Sequence, residues 1–259
     1  MPRRHLAVRK ETLMRLLQDV VAAGVVVSVA IGLSTAPGAQ TRPAAERFEV
    51  TSIKAVRPTL VNTIDALKRG DVGRAKDAFE AYDTAWNGIE VYINTRDRDM
   101  YNLLEKNYRS KIEEGLNAPK PDVADLLSNA QAMLAKFDEA IAKVAAGAPL
   151  NPLYDDVARL RIARSPLRVV NPAMKDGDAQ KARKAFATFR ANWSSVSAFM
   201  KTQSAEAYDA VEKAIPDLDA ALKSQSPAID QVTPLVNTII GKINGVVFQL
   251  TSEARKSAA

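Results

Sequence analysis

Apolar residues recur along most of the chain at spacings of three and four, the period that keeps them on one helix face. Phe79, Tyr82, Trp86, Ile89 and Ile93 make one such stripe. Leu126, Leu127, Ala130, Met133, Leu134, Phe137 and Ile141 make another. No stretch alternates with a period of two, so the pattern predicts helices and no sheet. The breaks between stripes carry recognisable signals. Gly70-Asp71 and Gly177-Asp178 each set a glycine, which ends a helix in the left-handed conformation, before an aspartate that caps the next one. Pro119 and Pro121 interrupt one helical run and Pro227 another. The predicted helices are 51–69, 71–94, 97–115 and 121–146, followed by 153–176, 178–203, 205–223 and 228–254.

These eight segments read as two sets of four. Ala66-Leu67-Lys68-Arg69-Gly70-Asp71 recurs as Ala173-Met174-Lys175-Asp176-Gly177-Asp178, 107 positions on. At the same offset Phe79 pairs with Phe186, Tyr82 with Phe189, Trp86 with Trp193, Tyr101 with Tyr208 and Glu105 with Glu212. Upstream, Arg57 pairs with Arg164 and Leu60 with Leu167. Both tryptophans of the chain fall in this one register. The fold expected is therefore all-α, two tandem four-helix-bundle-like repeats of about 107 residues, or one continuous helical array built from them. The repeats would span 51–148 and 149–254, with a boundary at the Gly147–Pro152 stretch, a linker at 39–50 and a tail at 255–259.

Residues 1–38 change the picture of charge and location. Arg3, Arg4, Arg9, Lys10 and Arg15 precede an uncharged run from Val20 to Leu33 and a small-residue stretch, Ser34 to Ala39. That order is the mark of a secretory signal peptide, and predicts an exported, periplasmic protein; an uncleaved inner-membrane anchor is the alternative. The leader carries half of the formal charge of +6, which leaves residues 39–259 near +3 with both signs interspersed. Such a surface lacks the concentrated basic footprint of a nucleic-acid binder. The chain has no cysteine, and its one histidine, His5, lies in the leader. Beyond the leader there is no ligand set for the usual structural zinc site or for haem, and no Ser-His or Cys-His couple. A non-enzyme is expected, and any metal ion would have to be held by oxygen.

The segment Phe79–Tyr92 carries the most suggestive chemistry. Tyr82, Trp86 and Glu90 are four apart and share one side of a helix, so a carboxylate beside a phenol could hold a hard cation. The plainer alternative makes Tyr82 and Trp86 core residues, with Glu90 at the wet edge of the stripe. In the second set Phe189 and Ser197 stand where Tyr82 and Glu90 do. Trp86 and Trp193 are thus expected to be structural, like Gly70, Asp71, Gly177 and Asp178. Arg161, Arg164 and Arg168 form a row along one face, suited to an anionic ligand or a partner's acidic helix. Asp155 and Asp156 suit the first turn of their helix. The equivalence of Arg57 with Arg164, and of Glu105 with Glu212, predicts a structural salt bridge within each unit.

Residues 66–86 and 173–193 resemble the helix-turn-helix stretch of tetratricopeptide-type repeats, with small residues and an aromatic after a Gly-Asp turn. The Trp86–Tyr92 segment and Leu160-Arg161-Ile162 resemble a set of uncharacterised bacterial periplasmic helical-repeat proteins associated with iron-permease accessory modules. That second resemblance implies iron handling, with Glu90 and Tyr82 as the candidate ligands. The function expected is a non-enzymatic periplasmic binding or accessory module, handling a metal ion such as iron through oxygen ligands. A helical scaffold for a protein partner in the envelope is the alternative, and the membrane would be touched only by an uncleaved leader.

Overall fold

The computed structural model describes residues 46–257, and the expected leader lies outside them. All the regular structure among the described residues is helical. Helices α1 (Phe48–Lys68) and α2 (Val72–Arg96) are followed by α3 (Arg98–Asn102), a π-helical segment (Leu103–Arg109) and α4 (Ser110–Asn117), which run on without a break. Next come α5 (Val123–Ala146), α6 (Leu153–Arg164), α7 (Leu167–Lys175), α8 (Ala179–Gln203), α9 (Ala205–Lys223) and α10 (Ile229–Lys256).

The turns form for local reasons that the two sets share. Gly70 and Gly177 take φ of 70° and 75°, where an L-residue would be strained. Asp71 and Asp178 then accept hydrogen bonds from the backbone N–H of Arg74 and Lys181, at 3.0 and 2.8 Å. Asp97 and Ser204 cap α3 and α9 in the same way, through Met100 and Ala207.

Besides the π-helical segment inside the expected helix 97–115, the structure differs from the expectation in three places. The expected helix 153–176 is broken into α6 and α7 at Ser165-Pro166, because Pro166 has no N–H to give to the preceding turn. The expected linker reaches only part-way, since α1 starts at Phe48 and buries Glu49 and Val50. The expected tail is helix as far as Lys256, with Ala254 buried.

α1 packs on α2 and α5, and α10 packs on α6, α7 and α9. The joint between the two sets is α6, which lies against α2 of the first set as well as α8 and α10 of its own. The described residues form one compact unit whose buried side chains make a single apolar cluster. The two sets therefore share a core and are not separate bundles. Gly88 on α2 permits the close approach at the joint. A Cβ there would run into the Ile162 side chain of α6.

Buried positions in the two sets follow one another in register. Val50, Ile53, Leu60, Phe79, Trp86 and Leu104 are matched 107 positions on by Val157, Leu160, Leu167, Phe186, Trp193 and Val211. After the π segment the offset drops to 106. Ile112, Leu116, Leu126, Met133, Phe137 and Val144 are matched by Leu218, Leu222, Val232, Ile239, Ile243 and Leu250. The first set holds one more residue than the second between Leu104 and Ile112, and that stretch contains the π turns. A single inserted residue widens a helix locally in this way while the flanking core contacts keep their places.

Candidate functional site

Two aromatic ladders stand on equivalent elements. Phe79, Tyr82, Trp86 and Tyr101 stack with centroids 5.5, 5.8 and 6.1 Å apart, and Phe186, Phe189, Trp193 and Tyr208 with 6.1, 6.1 and 6.3 Å. Each tryptophan Nε1 donates to a glutamate of the next helical stretch, Trp86 to Glu105 and Trp193 to Glu212, both at 2.7 Å. This replaces the salt bridge expected of Arg57 with Glu105 and of Arg164 with Glu212. Arg57 instead grips Asp138 of α5 through two nitrogens, at 2.7 and 2.9 Å.

The residues read as two separate candidate sites meet at the joint between α2 and α6. Glu90 is half-buried there and accepts from Arg161 Nη1 at 2.8 Å. Arg168 donates to Asn87 Oδ1 at 2.5 Å, and Ser165 Oγ to the Thr84 carbonyl at 2.6 Å, which ties the α6–α7 break to α2. Tyr92 donates to Asp155 at 2.9 Å across the same joint, so Asp155 has a bonding role besides its place in the first turn of α6. Arg164, between the other two arginines, has neither an ion pair nor a hydrogen bond among the described residues, and its Nε is buried. Desolvation, with Arg161 and Arg168 alongside, pulls its guanidinium down to about 10; Glu90 opposes that only in part. Burial likewise pushes the Glu90 carboxyl above its ordinary range, against the pull of Arg161.

This geometry does not suit the cation expected at Glu90 and Tyr82. The Glu90 carboxylate faces three guanidiniums, which repel a cation. Tyr82 is wholly buried with its hydroxyl unpartnered, and desolvation holds the phenol protonated well above its ordinary range. No group of three or more carboxylates able to hold a metal is found among the described residues.

A cavity of about 340 Å³ opens beside the arginine row. Its walls come from α2, the end of the π segment, α4, α7 and the start of α8, with Arg168 on one side and Arg109 on the other. Arg109 is enclosed by acids, Asp83 at 2.5 Å, Glu105 at 3.2 Å and Glu113 at 3.4 Å. Burial would lower its guanidinium, but the Asp83 hydrogen bond and the three carboxylates raise it above the ordinary value. Sequence reasoning missed Arg109 and this cavity, since neither belongs to a motif. The one available signal was the change of offset from 107 to 106. No family model, curated protein or solved structure matches the chain.

Proposed function

We propose that this protein is a non-enzymatic binding module of the cell envelope that takes an anionic group, carboxylate or phosphate, at Arg164 between Arg161 and Arg168. The observation that carries the reading is the uncompensated charge of Arg164. Three guanidiniums share one carboxylate, Glu90, and the middle one has no partner among the described residues. A half-buried cation without a counter-ion is costly, and an anion from solution would remove the cost.

The register of the two sets supports the same reading. We take them as diverged copies of one unit. Arg57 and Arg164 are then equivalent, and so, at the later offset, are Asp138 and Asn244. The first copy keeps its arginine neutralised from within, through Asp138. The second has an amide where that acid stands. The envelope location rests on the basic, apolar and small-residue order of residues 3–39. The non-enzymatic reading rests on a chain without histidine or cysteine beyond the leader.

Thermal unfolding of the full chain in rising inorganic phosphate tests the proposal. At a hundredfold excess over the dissociation constant, binding to the folded form adds about 2.7 kcal/mol, a shift of several degrees. Arg164→Gln is expected to lose that shift and, without phosphate, to unfold at a higher temperature than the parent, because it removes an unpaired charge. No response to phosphate, with a response to Fe(III) lost in Glu90→Gln, would replace the anion reading with the iron reading implied by resemblance.

A further inference from the structure

We propose that the cavity beside Arg168 is the other half of this binding site, and that it takes a small organic anion whose apolar body lies in the cavity while its phosphate or carboxylate meets the arginine row. The inference rests on the anion reading above. Arg168 belongs to both places, since it lines the cavity and stands one turn from Arg164. The apolar part of the wall is Phe79, Leu116, Val169 and Pro172, and a volume near 340 Å³ is within the range of small-molecule sites.

The residue inserted in the first copy keeps the wall from being acidic, and the charge of the ligand is met at Arg168. Lys181 pairs with Glu80 at 2.5 Å, and Arg109 pairs with Asp83 and Glu113. Arg109 is one cation against two acids, so with Arg168 and Lys76 set against Asp176 the wall is neutral as a whole, four basic residues to four acidic ones. Without Arg109, Asp83 and Glu113 would stand unpaired and the cavity would be acidic. Arg109 closes the π segment, inside the stretch where the first copy is one residue longer. The second copy has Ile215 and Pro216 at the flanking registers and no basic residue there. Ser110 Oγ donates to the Glu105 carbonyl at 3.1 Å, which satisfies a backbone group of the widened turns. The inserted residue thus brings a cation to Asp83 without disturbing Ile112 and Leu116 in the core.

Isothermal titration of the full chain with inorganic phosphate and with phenyl phosphate separates the two proposals. The cavity predicts that phenyl phosphate binds at least tenfold tighter than phosphate. Deleting the exposed Asn107 restores an ordinary α-helical register. It is expected to erase that difference by swinging Arg109 away from Asp83, while phosphate still binds. Arg168→Gln, at an exposed position, supplies a second variant that folds if the deletion does not, and it is expected to weaken phenyl phosphate at least tenfold. Equal affinities for the two ligands in the parent, or an Arg168→Gln variant that binds phenyl phosphate as tightly as the parent does, would overturn the cavity proposal and leave the arginine site standing. Binding of neither ligand would overturn both.

Discussion

Two helical glycines of this protein look alike in sequence and differ in what surrounds them. Gly88 lies where α2 meets α6, and a methyl group there would enter the space of Ile162. Gly88→Ala is expected to destabilise by about 1–3 kcal/mol, the usual cost of overpacking, read as a lower denaturant midpoint. Gly241 of α10 has nothing within reach of an added Cβ, so Gly241→Ala should stabilise by about 1 kcal/mol through helix propensity alone. Glu90 poses the opposite kind of question, since its carboxyl is held above the ordinary 4.5 mainly by burial. The native carboxyl keeps its proton to a higher pH than the unfolded one. In the window that starts near 4.5 and extends upward, the native state therefore binds more protons, and stability falls as pH rises. Glu90→Gln should remove that contribution, so the difference in unfolding free energy between parent and variant changes across the window and levels off above it. The variant should also bind phosphate more tightly, because the one acid competing for the three arginines is gone. A weaker phosphate response in Glu90→Gln would mean that Glu90 positions Arg161 for the ligand more than it competes with it.

Helix ends were legible from sequence because single residues set them. The Gly-Asp pairs, Pro119, Pro121 and Pro227 each act within one turn, and the observed helices begin or end beside them. The two caps should therefore behave alike, with Asp71→Ala and Asp178→Ala each costing about 1 kcal/mol in thermal unfolding. A cost at one and none at the other would show that the shared geometry does not carry a shared energy. The break at Ser165-Pro166 was also written in a proline, but the arginine row on both sides of it reads as one continuous face. The π segment was hidden for a different reason. One extra residue changes neither composition nor periodicity, and it shows only when core positions on both sides are aligned, Leu104 with Val211 and then Ile112 with Leu218. The candidate site was half legible. Glu90 and the arginines were singled out as two places, and nothing local says that residues 71 apart in the chain form one ion pair. Glu90 reads as a candidate ligand or as the wet edge of a stripe when its helix is taken alone, whereas α6 half-covers it and supplies Arg161.

At the scale of the molecule, the shared core bears on whether the two sets of helices can unfold separately. α6 starts the second set yet spends one face on α2, and through Gly88, Glu90 and Tyr92 it makes the joint part of both. Separating the sets would expose that apolar contact. It would also leave the half-buried Glu90 carboxylate without Arg161. The protein is accordingly expected to unfold in one transition, although 212 described residues exceed the size at which this is usual. The chain carries its own reporters, since Trp86 lies in the first set and Trp193 in the second, each buried and bonded to a glutamate. In Trp86→Phe the remaining fluorescence reports only the second set, and in Trp193→Phe only the first. Each variant loses a hydrogen bond to a charged group, worth about 1.5–3 kcal/mol, so both should unfold at lower denaturant than the parent. Within each variant, however, the fluorescence midpoint should coincide with the midpoint for loss of helix by circular dichroism. Separated midpoints would mean that the joint between α2 and α6 opens before either core melts.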